Sequence, residues 1–553
     1  MKKNKPVGKV SLVGAGPGDA GLLTLTGREI LDAADTVVYD RLVSEEILLT
    51  IPPHAHLINA GKAPNNHPLP QGEINRILIE EAQKSNRVVR LKGGDPFLFG
   101  RGWEELCALA EAGIPVEAVP GISSVLAVPA GAGIPVTHRG ASGALHVISW
   151  HSAAQETGPS PEALRGLAAA GGTLVILMGG GALEAISRRL MEAGFLPETP
   201  AAVIIEGTTP RQRVIRTLLQ ELGNVIIPSV DSPAPSKSPV LTIVGAVCAL
   251  STATADAQGK GALQGKRIVV TRPEPKNAET CNEIRALGGV PIPFPCITLR
   301  PLPPEAWSPG WREAMTACTW LVFSSAQGAD SFFTGFLAEG GDFRSFAGHK
   351  FAGTGPSVAE ALTRRGFIPD CIPSVFCGEQ LGRALAEQVT TGEELLLIQA
   401  KHREGGLQKI LTEKNIPFRE LAVYETLPAE GSPIARRIIE ENHFDTVLFA
   451  SPSAVSAFAR AFSLPGTRNS APGPITALCI GESTAKRARA FGMTAHSARE
   501  ASMTALYRLA ADICTRLRQN KNTDKGKKRP PLSRKTKTAF YDPYQFAGVT
   551  PVC

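Results

Sequence analysis

Several familiar devices are missing from this sequence, and each absence narrows its chemistry. The ten cysteines form no Cys-x-x-Cys pair, and the closest two, Cys371 and Cys377, have no histidine at metal-ligand spacing. They are expected to be reduced thiols, with no metal and a cytoplasmic location. No window approaches 18 uninterrupted apolar residues, so no membrane span is expected. The basic start MKKNKPVGKV leads into an apolar stretch broken by Gly14, Pro17 and Asp19, too short for a signal peptide. Aromatics are scarce at 6%, and charge is nearly balanced outside one region. Residues 516–553 hold ten Lys/Arg against two acids, a net +8 of the chain's +7, which leaves residues 1–515 at −1. The basicity therefore belongs to a tail, expected to be disordered and solvated, and nucleic acid is not an expected partner of the body.

What is present is glycine, proline and alternation. At 553 residues, with 55 Gly and 44 Pro, the chain is long enough for several domains. Strand-like runs (VSLVG, TVVYD, VVRL, ALHVISW, TLVILM, AAVII, VLTIVGAV) alternate with helical patterns such as REILDAAD. This alternation predicts α/β layers with largely parallel sheets. The composition shifts at 251–263, a stretch almost free of large apolar residues, which reads as a linker between residues 1–250 and 264–515. In the second part LVFSSAQGADSFF (321–333) is echoed by VLFASPSAVSAFA (447–459). KFAGTGPSVAEAL (350–362) is likewise echoed by ALCIGESTAKRAR (477–489). Two similar α/β units explain the echoes.

The turn VSLVGAGPGDAG (10–21) approaches a dinucleotide fingerprint, but Asp19 stands where the third glycine is needed. Three further motifs accompany it: TVVYDRLVSEEIL (36–48) with NAGK (59–62), VVRLKGGDPFLFGRG (88–102) and AVPGISSVLAVPAGAGIPVTHR (118–139). Glycine turns after strands let backbone approach a ligand closely. Together and in this order, over residues 6–250, these motifs resemble the tetrapyrrole methylase family. Within it they are most similar to uroporphyrinogen-III C-methyltransferase. The resemblance implies two α/β domains with a cleft and S-adenosylmethionine as methyl donor. It implies cofactor contacts at Pro17, Gly93, Gly94, Asp95, Leu98, Ser123, Ser124, Met178 and Gly207. It also implies Asp40 as proton acceptor, Lys62 as proton donor, and a homodimer through this half. Uroporphyrinogen carries eight carboxylates; Arg41, His138 and Arg139, with Arg28, Arg90, Lys92 and Arg101, lie in or beside the motifs as charge-assisted donors. One departure from the family is Ala63, where a second basic residue usually follows the lysine; His67 and Gln71 keep the H-x-x-P-Q pattern.

Residues 264–515 carry no metal cluster, nucleophile–base pair or phosphate loop. GKRIVVTRP, WLVFSSAQGADSFF, FAGTGPSVAEAL, LAVYETLP, FDTVLFASPSAVSAF and IGESTAKRARAFG resemble uroporphyrinogen-III synthase, a lyase, in order and spacing. The resemblance implies two α/β subdomains, 264–300 plus 426–515 and 301–425, joined by two strands. Hydroxymethylbilane would be cyclised between them, with Tyr424 assisting departure of its hydroxyl. Thr271, Arg272, Ser325, Ser453 and Ser483, at strand ends, are expected to face that cleft as donors to substrate carboxylates, although Ser and Thr there also serve as plain helix caps.

The combined expectation is a bifunctional enzyme making uroporphyrinogen III and methylating it twice to precorrin-2, for siroheme or cobalamin. Two alternatives stay open: an active methyltransferase with a degenerate, docking synthase module, and a nucleic-acid-binding protein acting through its tail.

Overall fold

The computed structural model describes residues 7–61, 69–153, 155–227, 239–250, 261–402, 405–429, 431–463 and 475–526, with backbone alone at 151–153, 155–157 and 516–526. Lys62, most of the expected linker and residues 527–553 lie outside the described residues.

The first sheet contains β1 (Lys9–Gly14), β2 (Thr36–Tyr39), β3 (His56–Asn59), β4 (Arg87–Lys92) and β5 (Val116–Val119) in the order β3-β2-β4-β1-β5. Every neighbouring pair is parallel. Five of the six residues of β1 and of β4 are buried, as expected for parallel strands covered on both faces. The second sheet contains β6 (Leu145–Ser149), β9 (Thr173–Leu177), β10 (Pro200–Ile205), β11 (Arg213–Leu218) and β12 (Val240–Val244). Its order is β11-β10-β12-β9-β6, with only β6 and β9 paired in parallel. A small hairpin, β7 (His151–Ala153) with β8 (Gln155–Thr157), follows β6.

The second half again makes two five-stranded sheets. In one, β13 (Arg267–Val270), β14 (Val290–Pro293), β20 (Thr446–Phe449), β21 (Thr476–Cys479) and β22 (Thr494–Ser497) are ordered β14-β13-β20-β21-β22, all parallel. In the other, β15 (Ile297–Pro301), β16 (Trp320–Phe323), β17 (Lys350–Gly353), β18 (Leu395–Ala400) and β19 (Phe418–Pro428) are ordered β15-β19-β18-β16-β17. The antiparallel pair of β15 and the 11-residue β19 is the stretch where the chain passes between these sheets.

The echoes seen in the sequence share backbone geometry. Ser325 caps the helix Ala326–Ala338 at φ −163°, ψ 154°, and Ser451 caps Pro452–Ala461 at φ −161°, ψ 155°. Each hydroxyl accepts the backbone N–H three residues on.

The two halves touch. Glu46 pairs with Arg285 at 2.6 Å, Glu45 with Arg267 at 2.7 Å, and Gln264 Nε2 donates to the Pro210 carbonyl at 2.7 Å. Between these polar contacts, Ile47, Leu48, Leu49 and Ile51 share an apolar cluster with Ile292, Phe294 and Ile434.

At the C-terminal end the helix Met503–Gly526 runs 11 residues into the segment expected to be disordered, so the expected boundary at 516 moves. TRLRQNKN (515–522) is composed largely of residues that tolerate a helix, and a start already packed on the β13–β20–β21 sheet nucleates it.

Candidate active sites in the two halves

In the first half three glycine-bearing turns meet at the C-terminal ends of adjacent strands β1, β4 and β5, the edge where open α/β sheets bind ligands. The turn after β1 pairs with the turn after β4: Gly94 N donates to Gly16 O at 2.8 Å and Gly16 N to Gly94 O at 3.2 Å. A Cβ on Gly121, in the turn after β5, would stand 2.1 Å from Gly94 O and 2.7 Å from Gly14 Cα. Only glycine fits this junction. Asp95 fastens it, with Oδ2 accepting from Gly121 N at 3.0 Å and Oδ1 from Phe97 N at 2.8 Å. Ser123 caps the following helix, which begins at Ser124.

The second sheet approaches the same turns. A Cβ on Gly18 would stand 3.0 Å from the Thr209 methyl, and Asp19 N donates to Thr208 Oγ1 at 3.4 Å. Gly207, after β10, is packed so closely that a Cβ would stand 2.4 Å from Val128. Met178, after β9, has a left-handed φ of 60° and is 46% exposed; Leu98 is 37% exposed. Ser44 Oγ donates to Gly18 O at 2.6 Å, tying the DRLVS segment to the opening turn. Pro17, Gly93, Gly94, Asp95, Ser123 and Ser124 thus lie on one turn cluster, with Gly207 on the facing loop.

Asp40 follows β2, its backbone N–H bonded to Leu91 O at 3.2 Å and its side chain 28% exposed. Arg90 donates from Nη2 to Asp40 Oδ1 at 2.5 Å. Arg41, His138 and Arg139 are exposed. The expectation that Arg90 and Lys92 receive substrate carboxylates is corrected: they are 1% and 3% exposed. Both point from β4 into the protein and bond the buried Glu105, Arg90 Nε at 3.2 Å and Lys92 Nζ at 2.9 Å. Arg28 is engaged by Asp32 and Thr50, and Arg101 by Glu104.

Glu105 escaped the sequence reading. Its signal was periodicity: Gly102, Glu105 and Leu109 are the buried face of the helix Gly102–Glu111, so this glutamate stands at an apolar position.

In the second half Tyr424, on β19, is 8% exposed and lies with its Oη 3.0 Å from Ser325 Oγ. Ser453 and Ser483 are exposed at helix starts, Ser453 with its hydroxyl 2.9 Å from that of Ser451. Two expectations are corrected. Thr271 is fully buried and its hydroxyl donates inward to Leu448 O at 2.7 Å, which satisfies a strand-end carbonyl and leaves nothing for a ligand. Arg272 donates to Thr280 Oγ1 at 2.9 Å. It lines a cavity of about 850 Å³ with Glu279, Glu283, Tyr507 and Arg508, and none of the lining comes from residues 301–425.

Burial pushes the thiols of Cys248, Cys281 and Cys479 up to about 12 and that of Cys318 to about 11.

Two pairs of five-stranded sheets joined end to end define a fused two-part α/β protein. Residues 9–223 match the model of the Tetrapyrrole (Corrin/Porphyrin) Methylases, and residues 278–508 that of Uroporphyrinogen-III synthase HemD. The chain is similar to the porphyrin biosynthesis protein HemD of Ruminiclostridium josui, 37% identical over 88% of this chain and 94% of that protein. Its first half is similar to the siroheme synthase of Tolumonas auensis, 48% identical over 44% of this chain and 50% of that protein. It therefore spans about half the length of the siroheme synthase it matches. A crystal structure of Thermus thermophilus uroporphyrin-III C-methyl transferase complexed with S-adenyl homocysteine is 37% identical, covering 43% of this chain and 93% of that one with a TM-score of 0.36. The chain belongs to the tetrapyrrole methylase family through its first half and to the uroporphyrinogen-III synthase family through its second.

Proposed function

We propose that the chain carries out two consecutive steps of tetrapyrrole synthesis. The second half, 264–515, cyclises hydroxymethylbilane to uroporphyrinogen III. The first, 1–250, methylates that product twice to precorrin-2, bound for siroheme or cobalamin. The observation that carries the reading is that one relative matches across both halves, so that the product of one family is the substrate of the other within a single chain.

S-adenosylmethionine supplies an electrophilic methyl when bound. The turn cluster fits it: it has no phosphate, and the cluster offers backbone polar groups, the Asp95 carboxylate and the exposed apolar Leu98 and Met178. Around Gly94, at φ 69°, the space a Cβ would take is open, so a ligand can approach the backbone there. Pro17, Gly93, Ser123, Ser124 and Gly207 complete that lining. The protein aligns the acceptor ring carbon with the methyl, which removes several kcal/mol of barrier through orientation. The accepting ring carbon already bears a side chain, so the methyl leaves the macrocycle with one positive charge. A proton must depart from elsewhere in it, and Asp40 accepts that proton; Lys62 is the matching donor. Arg41, His138 and Arg139 bind substrate carboxylates. Exposed Phe97, Phe99 and Trp103 support pairing of two copies through this half.

In the synthase half Tyr424, partnered by Ser325, protonates the departing hydroxyl, which leaves as water. Ser453 and Ser483 offer hydroxyls at helix starts to substrate carboxylates. The rest of the reaction belongs to electron-rich pyrroles.

The test is the purified full chain with hydroxymethylbilane, with and without S-adenosylmethionine. Type III product without the methyl donor and a dimethylated product with it are expected. Failure to form either overturns the reading, and type I product alone means the synthase half is inactive.

A further inference from the structure

The buried charges behind Asp40 are more numerous than a turn aspartate needs. Arg90 places all three guanidinium nitrogens. Nη2 reaches Asp40, Nε reaches Glu105, and Nη1 reaches the carbonyls of Val38 and Leu91 at 3.4 Å each. Glu105, with no exposed surface, also accepts from Lys92 at 2.9 Å and Gln71 at 3.1 Å, all through Oε1. Its Oε2 is buried without a hydrogen-bond partner. Burial, and then the neighbouring Arg90 charge, draw the Lys92 ammonium below its ordinary range against the pull of Glu105 and Asp40.

A plain structural pair would join two side chains. Here one carboxylate at the cleft is joined, through a guanidinium with no freedom left, to a second carboxylate in the core. Arginine suits this because its planar fork spans several acceptors at once, whereas a lysine ammonium is a single point. Among the described residues only Oδ1 of Asp40 has a side-chain partner, and the carboxylate is partly exposed.

We propose that Arg90 is a positioning residue for methyl transfer, holding Asp40 in its proton-accepting orientation, and that Glu105, gripped by Lys92 and Gln71, keeps Arg90 aimed. The proposal rests on the reading of Asp40 as the proton acceptor.

The experiment uses the full chain, with methylation rates at saturating uroporphyrinogen III and S-adenosylmethionine binding measured by calorimetry. Arg90→Lys keeps the buried charge but cannot span both carboxylates. It is expected to lower kcat about tenfold while leaving methyl-donor affinity within about threefold, the pattern of a misplaced group rather than a lost cofactor site. Arg90→Lys combined with Asp40→Asn is expected to be no slower than Asp40→Asn alone, because a positioning residue has nothing left to position. Wild-type kcat in Arg90→Lys, or multiplied losses in the double variant, overturns the proposal. If Arg90→Lys no longer binds the methyl donor, Glu105→Gln decides: a kcat about threefold lower with affinity kept supports it, and an unchanged kcat overturns it. Asp40→Asn at wild-type kcat instead removes the reading of Asp40 itself, whatever Arg90 does.

Discussion

The two halves solve similar architectural problems with different materials. Each sets two five-stranded sheets side by side, yet what they bury differs. Among its described buried residues the first half includes Arg90, Lys92, Glu81, Glu105 and Glu206; the second half buries mostly hydroxyls and amides, with Lys266 and Glu425 as its charges. The first half joins its turns through glycines at contact distance. The second relies on a phenylalanine cluster formed by Phe323, Phe332, Phe333, Phe336, Phe346 and Phe351. The difference teaches what each proposed reaction asks of its protein. Taking a proton from a freshly methylated macrocycle requires a carboxylate fixed against a defined cofactor. Folding a flexible pyrrole chain requires shape and hydrogen-bond donors, with little fixed charge.

The largest expected effect comes from removing that fixed charge. Asp40→Asn should lower methylation by about 10²–10⁴-fold, the usual range for a general base, and leave synthase turnover unchanged. If both activities fall together, the halves are not chemically separable and the contrast breaks. Next in size is Gly121→Ala. Its methyl would stand 2.1 Å from Gly94 O, so the turns must part, and a loss on the order of 3 kcal/mol in methyl-donor binding is expected by calorimetry. The control in the second half is Gly481→Ala, at an extended φ of −167° with no atom within 4 Å of the new methyl, expected to cost no more than about 1 kcal/mol, the preference for glycine over alanine at a helix N-cap, with no clash.

This asymmetry also governs how much was legible in the sequence. The glycine turns were readable because their cause is local: Gly16, Gly18 and Gly94 adopt positive φ, and the strands feeding them, KVSLVG and RVVRLK, carry valine and leucine at three positions of six. The echo at 321–333 and 447–459 was readable because the same strand–serine–helix grammar repeats with the same cap geometry. Arg90, Lys92 and Thr271 were misread because strand position says nothing about which way an end residue turns. Arg90 and Lys92 are drawn inward by Glu105, 15 and 13 residues away on a helix, and Thr271 by Leu448, 177 residues on. Arg272 is held by Thr280, on the helix that follows its own strand. Tertiary pairing of this kind leaves no local mark.

Tyr424→Phe probes the second half at an intermediate level. It deletes a hydroxyl 3.0 Å from Ser325 Oγ at a position 8% exposed. Type III formation should slow about tenfold, with methylation of supplied uroporphyrinogen III untouched. A loss as large as that of Asp40→Asn would mean that the synthase half depends on one group as sharply as the methylase half does.

The smallest effect separates two glutamates held by cations. Glu393 in the second half accepts from Lys350 Nζ at 2.8 Å, Thr390 N at 2.8 Å and Trp320 Nε1 at 3.1 Å. The Lys350 bond first, then the Thr390 amide, hold its carboxyl down at about 2, below the ordinary 4.5. A carboxyl lowered on folding stabilises the protein above its unfolded value and loses that contribution as pH falls toward the folded one. Because the group sits at the protein edge, solvent screening limits the contribution to about 1 kcal/mol. Glu393→Gln should therefore cost about that much in urea unfolding at pH 7, and the gap from wild type should close between about pH 4.5 and pH 2. Glu105→Gln, in the dry interior, leaves two buried cations short of a counter-charge and should cost more, on the order of 3 kcal/mol. Equal costs would mean that the buried network of the first half is no different in kind from an edge ion pair of the second.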